Sequence, residues 1–93
     1  DHPYKLSRST ITHAKSQIEK LASCGIEHLD LRHGHNLRVG SNGEAVLIDY
    51  SHVRLHNAED PVVRAEIAAS MKDSLDEMFA NYAETNGVDN PAL

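Results

Sequence analysis

The chain has 93 residues, which is enough for one domain or for part of one. Hydrophobic residues make up 40% of it and charged residues 25%, an ordinary composition for a globular protein. The 14 acidic residues outnumber the 9 basic ones, and the resulting net charge of −5 argues against a nucleic-acid partner. Cys24 is the only cysteine, so an internal disulfide is excluded.

The sequence also bears on where the protein works. No apolar run approaches the length of a membrane span, so we expect no membrane partner. No basic segment followed by an apolar one opens the chain, and together with the single cysteine this favours the reducing cytoplasm. Because the chain begins with Asp1-His2-Pro3 and not with Met, we expect it to be a piece of a longer polypeptide.

The spacing of apolar residues predicts a first helix over residues 9–24. Either Ser7 or Ser9 can cap its start, and Gly25 can adopt the left-handed conformation just beyond its end. The stripe predicted to face the core consists of Ile11, Ala14, Ile18, Leu21 and Ala22.

A polar, histidine-rich stretch without a clear period follows, over residues 28–36. Two short alternating runs, at residues 37–39 and 45–48, then flank the sequence Gly40-Ser41-Asn42-Gly43. Asn-Gly between alternating runs is a strong hairpin signal. We therefore predict two antiparallel strands, each with one face toward the first helix.

A second, longer helix is predicted from residues 60–61, where Asp as the N-cap precedes Pro at the first helical position, to Gly87. The pattern allows one continuous helix or two pieces broken near Ser70. Residues 88–93 are expected to form a flexible tail. The apolar stripe of this helix consists of Val63, Ile67, Met71, Leu75, Phe79 and Tyr82.

The most informative stretch lies between the two helices. It begins with Gly25-Ile26-Glu27-His28-Leu29-Asp30-Leu31-Arg32, continues through Asn36 and the hairpin, and ends with Leu47-Ile48-Asp49-Tyr50-Ser51. This order resembles the catalytic core of protein-kinase-like phosphotransferases. In that family a helix leads into His-x-Asp-Leu-(Lys/Arg), a short loop and an Asn, and a hairpin then delivers an Asp-Phe-Gly type of triplet.

The resemblance covers about half of the chain and implies an α+β fold. The elements would be a helix, a catalytic loop, a β-hairpin and a long C-terminal helix, as in part of the large lobe of such a kinase. Residues 1–87 would then form a single kinase-like subdomain. Only eleven residues separate Asp49 from Pro61, which indicates a compact, atypical branch of the family.

The resemblance also implies roles for five residues. Asp30 corresponds to the catalytic base that orients the acceptor hydroxyl, and Arg32 to the partner of the transferred phosphate. Asn36 and Asp49 correspond to the oxygen ligands of Mg²⁺, through which they would hold ATP. His28 would support the loop by hydrogen bonds. These residue types suit phosphoryl transfer, which depends on positioning and on neutralisation of charge.

Two positions depart from the family pattern. The Asn is usually five positions after the catalytic Asp, but here His35 holds that place. We favour one inserted residue in His33-Gly34-His35, which keeps Asn36 as the ligand; if His35 replaces the Asn instead, metal binding would be weakened. The triplet also ends in Ser51 where Gly is usual.

The sequence lacks the parts that hold the nucleotide in a kinase. It contains no Gly-x-Gly-x-x-Gly run, and no Val-Ala-x-Lys strand precedes the first helix. We therefore expect that another segment or a partner protein supplies the nucleotide-covering lobe. The chain alone should bind ATP weakly and turn over slowly or not at all, and its acceptor is not identified by the sequence.

The sequence leaves two other functions open. A non-catalytic pseudokinase remnant could act as a protein-interaction module, and could self-associate, through the acidic or apolar faces of the second helix. Alternatively, His33 and His35, with His28 and Asp30 nearby, could bind Zn²⁺ or Ni²⁺ in a small histidine-rich metal-binding protein.

Overall fold

The computed structural model describes residues 5–32 and 36–91. The fold is α+β, as predicted, with the two helices packed against each other and against small antiparallel sheets. The described elements, in chain order, are α1 (Arg8–Ser23), β1 (Ile26–His28), β2 (Leu37–Val39), β3 (Ala45–Leu47), β4 (Val53–Leu55) and α2 (Pro61–Asn86).

Helix α1 begins and ends as its sequence predicts. Ser7 is the N-cap, and its hydroxyl oxygen accepts a hydrogen bond of 3.1 Å from the backbone N–H of Thr10. Gly25 has a φ of 72° just beyond the last turn. Of the predicted stripe, Leu21 is partly buried, and the residues that are fully buried are Ile11, Ala14, Ile18 and Ala22.

Helix α1 holds the hairpin by polar contacts as well as by burial. The side-chain amide of Gln17 donates to the carbonyl of Ala45 and accepts from the backbone N–H of Leu47 at 2.9 Å. The buried hydroxyl of Thr10 donates to the carbonyl of Gly43 at 2.9 Å. These contacts satisfy backbone groups of the hairpin turn and of the outer edge of β3 that would otherwise lose their hydrogen bonds on burial.

The hairpin itself pairs β2 with β3 and is confirmed, with Leu37 opposite Leu47. Its turn differs in type from a two-residue Asn-Gly turn. Gly43 has a φ of 85°, and its N–H donates to the carbonyl of Gly40, whereas Asn42 keeps a negative φ. The turn is therefore an ordinary tight turn followed by a left-handed glycine, the pattern of three-residue hairpin loops.

Helix α2 is one continuous helix without a break at Ser70. The carboxylate of Asp60 caps its start by accepting from the N–H of Val62 at 2.9 Å, and Gly87 ends it with a φ of 64°. The absence of Gly and Pro between residues 62 and 86 explains the continuity. The residues it buries are Ile67, Ala68, Met71, Leu75, Met78, Phe79 and Ala83.

A second two-stranded sheet, formed by β1 and β4, was not predicted. The strands are antiparallel, with Ile26 opposite Leu55 and His28 opposite Val53. Each strand has only three residues, so the apolar–polar alternation in each is too short to stand out from a loop. The sheet nevertheless matters, because it fixes where the chain enters and leaves the segment that resembles a catalytic core.

The chain beyond α2 makes a defined contact within the described range. The N–H of Val88 donates to the carbonyl of Ala83 at 3.1 Å, and the Val88 side chain packs against the core. Residues 92–93 of the predicted tail lie outside the described residues. In the described ranges, neither helix is apolar over a length that would cross a bilayer.

Gly25 and Gly87, which follow the two helices at positive φ, allow a matched pair of substitutions. Gly25→Ala and Gly87→Ala both place a Cβ at positive φ, which costs about 1 kcal/mol. At Gly25 the added Cβ would also lie 2.5 Å from the carbonyl oxygen of His56, whereas at Gly87 nothing lies within 4 Å. Gly25→Ala should therefore lower the free energy of unfolding by about 1–3 kcal/mol more than Gly87→Ala. Urea unfolding followed by circular dichroism measures the difference, and equal losses would contradict the β1–β4 arrangement.

Candidate functional site

His28, at the end of β1, is the buried link between two loops. It is 3% exposed. Its Nδ1 accepts from the backbone N–H of Asp30 at 3.2 Å, and its Nε2 lies 3.0 Å from the carbonyl oxygen of Ile48. Because Nδ1 accepts, the two contacts assign a neutral ring with its proton on Nε2, donated to Ile48. The imidazole thus joins the loop after β1 to the end of β3.

Other contacts fix the position of His28. Its backbone N–H donates to the sulfur of Met71 on α2 at 3.3 Å. Its ring meets the ring of Tyr50 edge to face, with centroids 5.3 Å apart and an interplanar angle of 61°. The sequence indicates no contact of Met71 or Tyr50 with His28. Its one signal is that Tyr50 takes the place of Phe in the Asp-Phe-Gly type of triplet.

Asn36, immediately before β2, is 1% exposed and adjoins both loops. Its side-chain N–H donates to the carbonyl of Asp30, and its own backbone carbonyl accepts from the N–H of Ile48 at 2.8 Å. Its side-chain oxygen Oδ1 is buried and has no hydrogen-bond partner in residues 5–32 and 36–91. An unpaired buried amide oxygen costs about 1–3 kcal/mol, so this atom calls for an explanation.

Asp49, two residues beyond β3, has an unusual backbone. Its φ is 61°, which makes it the one non-glycine residue with positive φ in the described part of the chain. Its carboxylate oxygen Oδ1 accepts from the hydroxyl of Ser51 at 2.6 Å. Asp tolerates the left-handed region better than most residues, yet such outliers cluster at functional sites. Ser51, the departure from the usual Gly, therefore orients the carboxylate.

Asp30 lies between two open cavities. One, of about 370 Å³, is bordered by Arg32 and by Ser70 and Ser74 of α2, and the other, of about 180 Å³, by Leu29 and His52. Neither Asn36 nor Asp49 is among the described residues that line these two cavities.

Arg32 points toward α2 in this structure. Its Nε lies 3.3 Å from a carboxylate oxygen of Glu77, and both side chains are more than half exposed. The hydrogen bonds of His28 and Asn36 therefore draw Asp30 and the segment before Asp49 together, whereas Arg32 is directed elsewhere.

The proposed insertion and the histidine hypothesis both fall on residues 33–35, which lie outside the described residues. Whether Asn36 or His35 occupies the family's Asn position accordingly stays a prediction. Within the described ranges, no group of three His, Cys, Asp or Glu side chains is placed to hold a metal ion. A zinc or nickel site that depends on His33 and His35 stays a hypothesis as well.

Comparison with known proteins gives no family assignment. No family model matches the chain, and neither the curated proteins nor the solved structures contain a significant match to it. The kinase resemblance therefore depends on the residues and contacts described above.

The surroundings of Tyr50 predict how it titrates. Burial raises the pKa of the Tyr50 phenol above its ordinary value of 10.0, and its hydroxyl donates to the carbonyl of Leu47 at 3.2 Å. Because folding disfavours the phenolate, the stability contributed by Tyr50 is fully present below about pH 10 and is lost as the pH rises through its folded-state pKa. The ultraviolet difference between the wild type and Tyr50→Phe should therefore titrate above pH 10.0. A midpoint at or below that value would contradict the partial burial of the Tyr50 phenol.

Proposed function

We propose that residues 28–51 are the catalytic and Mg²⁺-binding loops of a kinase-like phosphotransferase that uses ATP and a hydroxyl acceptor. The observation that carries the proposal is that Oδ1 of Asn36 is buried and has no hydrogen-bond partner among residues 5–32 and 36–91. That atom lies in the same hydrogen-bonded cluster as the Asp30 backbone and the strand end that leads to Asp49. Because no described residue bonds to it, this oxygen remains available as a ligand for a cation.

The donor atoms suit Mg²⁺. Asn36 offers an amide oxygen, Asp49 offers a carboxylate held by Ser51, and Mg²⁺ prefers oxygen ligands of this kind. The strained backbone of Asp49 gives a second reason to assign it a function. When bound, the ion would neutralise charge on the phosphate groups of the nucleotide.

The backbone of Asp30 is fixed by hydrogen bonds on both sides of its side chain, which suits a catalytic base. The N–H of Asp30 is bonded to His28, and its carbonyl is bonded to the Asn36 amide. Both peptide groups that flank the Asp30 side chain are therefore fixed, while the side chain borders cavities open to solvent. In the proposal, its carboxylate orients the acceptor hydroxyl and receives its proton.

Arg32 would bind the transferred phosphate after leaving Glu77. Exposed ion pairs of this type contribute about 0–1 kcal/mol, so the exchange costs little.

We also propose that a nucleotide-covering lobe is supplied from outside these residues and that the chain alone binds ATP weakly. The proposal places the protein in the cytoplasm, where ATP and Mg²⁺ are available.

The second candidate is a non-catalytic remnant that works as an interaction module. The observation that favours it is the direction of Arg32, which is paired with Glu77 and lies on the cavity that Asn36 and Asp49 do not line. In this alternative the His28 and Asn36 hydrogen bonds serve only to hold the fold.

Titration with Mg²⁺, followed by the amide resonances of the chain, tests the proposed site. The signals of Asn36 and Asp49 should shift and saturate at millimolar Mg²⁺. Asp49→Asn, which keeps the shape but removes the charge, should weaken binding about tenfold, since charge-assisted ligation is lost. Asp73→Asn is the matched control, because Asp73 is exposed on α2 and should leave the binding unchanged.

Two results would contradict the proposal. If Asn36 and Asp49 do not shift, or if Asp73→Asn weakens binding as much as Asp49→Asn, the metal site is refuted. A saturating Mg²⁺ site without ATP-dependent transfer, once the chain is combined with its nucleotide-holding partner, would support the interaction module instead. In that combined protein Asp30→Asn should abolish phosphoryl transfer while leaving the Mg²⁺ shifts intact.

A further inference from the structure

Strand β4 has an open outer edge. On its inner side, the carbonyl of His52 accepts from the N–H of Leu29 at 2.9 Å, and the N–H of His56 donates to Gly25 at 2.7 Å. Backbone groups alternate in direction along a strand, so the N–H and C=O groups of Arg54 also point toward β1. The N–H and C=O groups of Val53 and Leu55 therefore point outward. In the described residues this sheet has two strands only, and no third strand pairs with the outer edge.

The exposed apolar side chains of β4 can pack against a second chain. Leu55 is 76% exposed and Val53 is 36% exposed, although both are apolar. Exposed strand edges with apolar side chains are templates for pairing with another chain. Because β4 has only three residues, the affinity that such pairing provides should be modest.

The charge at this edge is positive, on a chain whose net charge is −5. Arg54 is exposed at the centre of β4, and no ion pair of its side chain is found within residues 5–32 and 36–91. Glu27 lies opposite Arg54 across the sheet, but its carboxylate is bonded to His56 at 2.8 Å. Among the described residues no carboxylate is paired with Arg54, so its side chain can form an ion pair with a carboxylate of a partner.

A second copy of the chain is a poor occupant of the edge. Antiparallel pairing through the outward groups of Val53 and Leu55 allows only registers that match these odd-numbered positions with each other. Each register places Arg54 opposite another Arg54, or opposite His52 or His56. Basic side chains directly opposite each other are destabilising, so antiparallel pairing of two copies through this edge is unfavourable.

We propose that β4 binds an extended acidic peptide, which adds to the sheet as a third strand. Its central residue would be Glu or Asp, placed beside Arg54, and apolar residues on either side would cover Val53 and Leu55. The backbone of the peptide would bond to the outward groups of Val53 and Leu55. This binding surface is independent of the proposed phosphotransferase site, since none of its three residues serves there.

Fluorescence anisotropy with short labelled peptides tests the binding surface. A peptide with Val-Glu-Val at its centre should bind, and the same peptide with Val-Lys-Val should bind about fivefold to tenfold more weakly. Arg54→Glu should reverse that preference, which a merely structural role would not do. Val53→Pro removes one outward N–H, and proline is tolerated at such edge positions, so it should weaken the Val-Glu-Val peptide about fivefold while the fold is retained.

The controls separate pairing from unfolding and from self-association. Circular dichroism and thermal unfolding verify that each variant is folded, and Arg54→Glu keeps the test valid if Val53→Pro is not. Equal binding of the two peptides by the wild type, or an unchanged preference in Arg54→Glu, would overturn the proposal. Sedimentation should show a monomer; a dimer that Val53→Pro disrupts would overturn it in favour of a second copy.

Discussion

The buried imidazole of His28 is the interaction on which the candidate site depends. It accepts from the backbone of Asp30 and donates to the backbone of Ile48, so one ring positions two loops that come from different sheets. If the ring were absent, the partly buried N–H of Asp30 and C=O of Ile48 would each lose a hydrogen bond, which contributes about 0.5–1.5 kcal/mol. The sulfur of Met71 accepts from the backbone N–H of His28, which connects the site to α2, and the ring of Tyr50 packs against the imidazole.

Asn36 completes this arrangement from the other side. Its amide donates to the Asp30 carbonyl, and its backbone accepts from Ile48, so Asp30 is bounded by two buried polar residues. The remaining oxygen of Asn36 has no hydrogen-bond partner among the described residues. An amide oxygen buried without a partner costs about 1–3 kcal/mol, and a bound cation would recover that cost. This oxygen is the physical basis of the proposed cation site.

Much of the fold could be predicted because its signals are local. Ser7, Gly25, Asp60 and Gly87 act at helix ends through their own backbone preferences, and the hairpin is encoded by alternation around Asn42-Gly43. The β1–β4 sheet and the amide of Gln17 could not be predicted in this way. Both join residues that are distant in sequence, and neither carries a turn or cap that marks it.

The site was predictable in part for a related reason. The order of His28, Asp30, Asn36 and Asp49 can be read along the chain, but burial and orientation cannot. The direction of Arg32 depends on Glu77, forty-five positions away on a different element. The role of Ser51 likewise depends on the left-handed backbone of Asp49, a conformation that the sequence does not specify.

The protonation pattern of the His28 ring tests the central claim most directly. Long-range nitrogen–proton correlation spectra of the labelled protein near pH 7 distinguish the two ring nitrogens. The hydrogen bonds described here predict a neutral ring with Nδ1 unprotonated and a slowly exchanging proton on Nε2. A ring with its proton on Nδ1, or one that averages rapidly between tautomers, would contradict the bridge between Asp30 and Ile48.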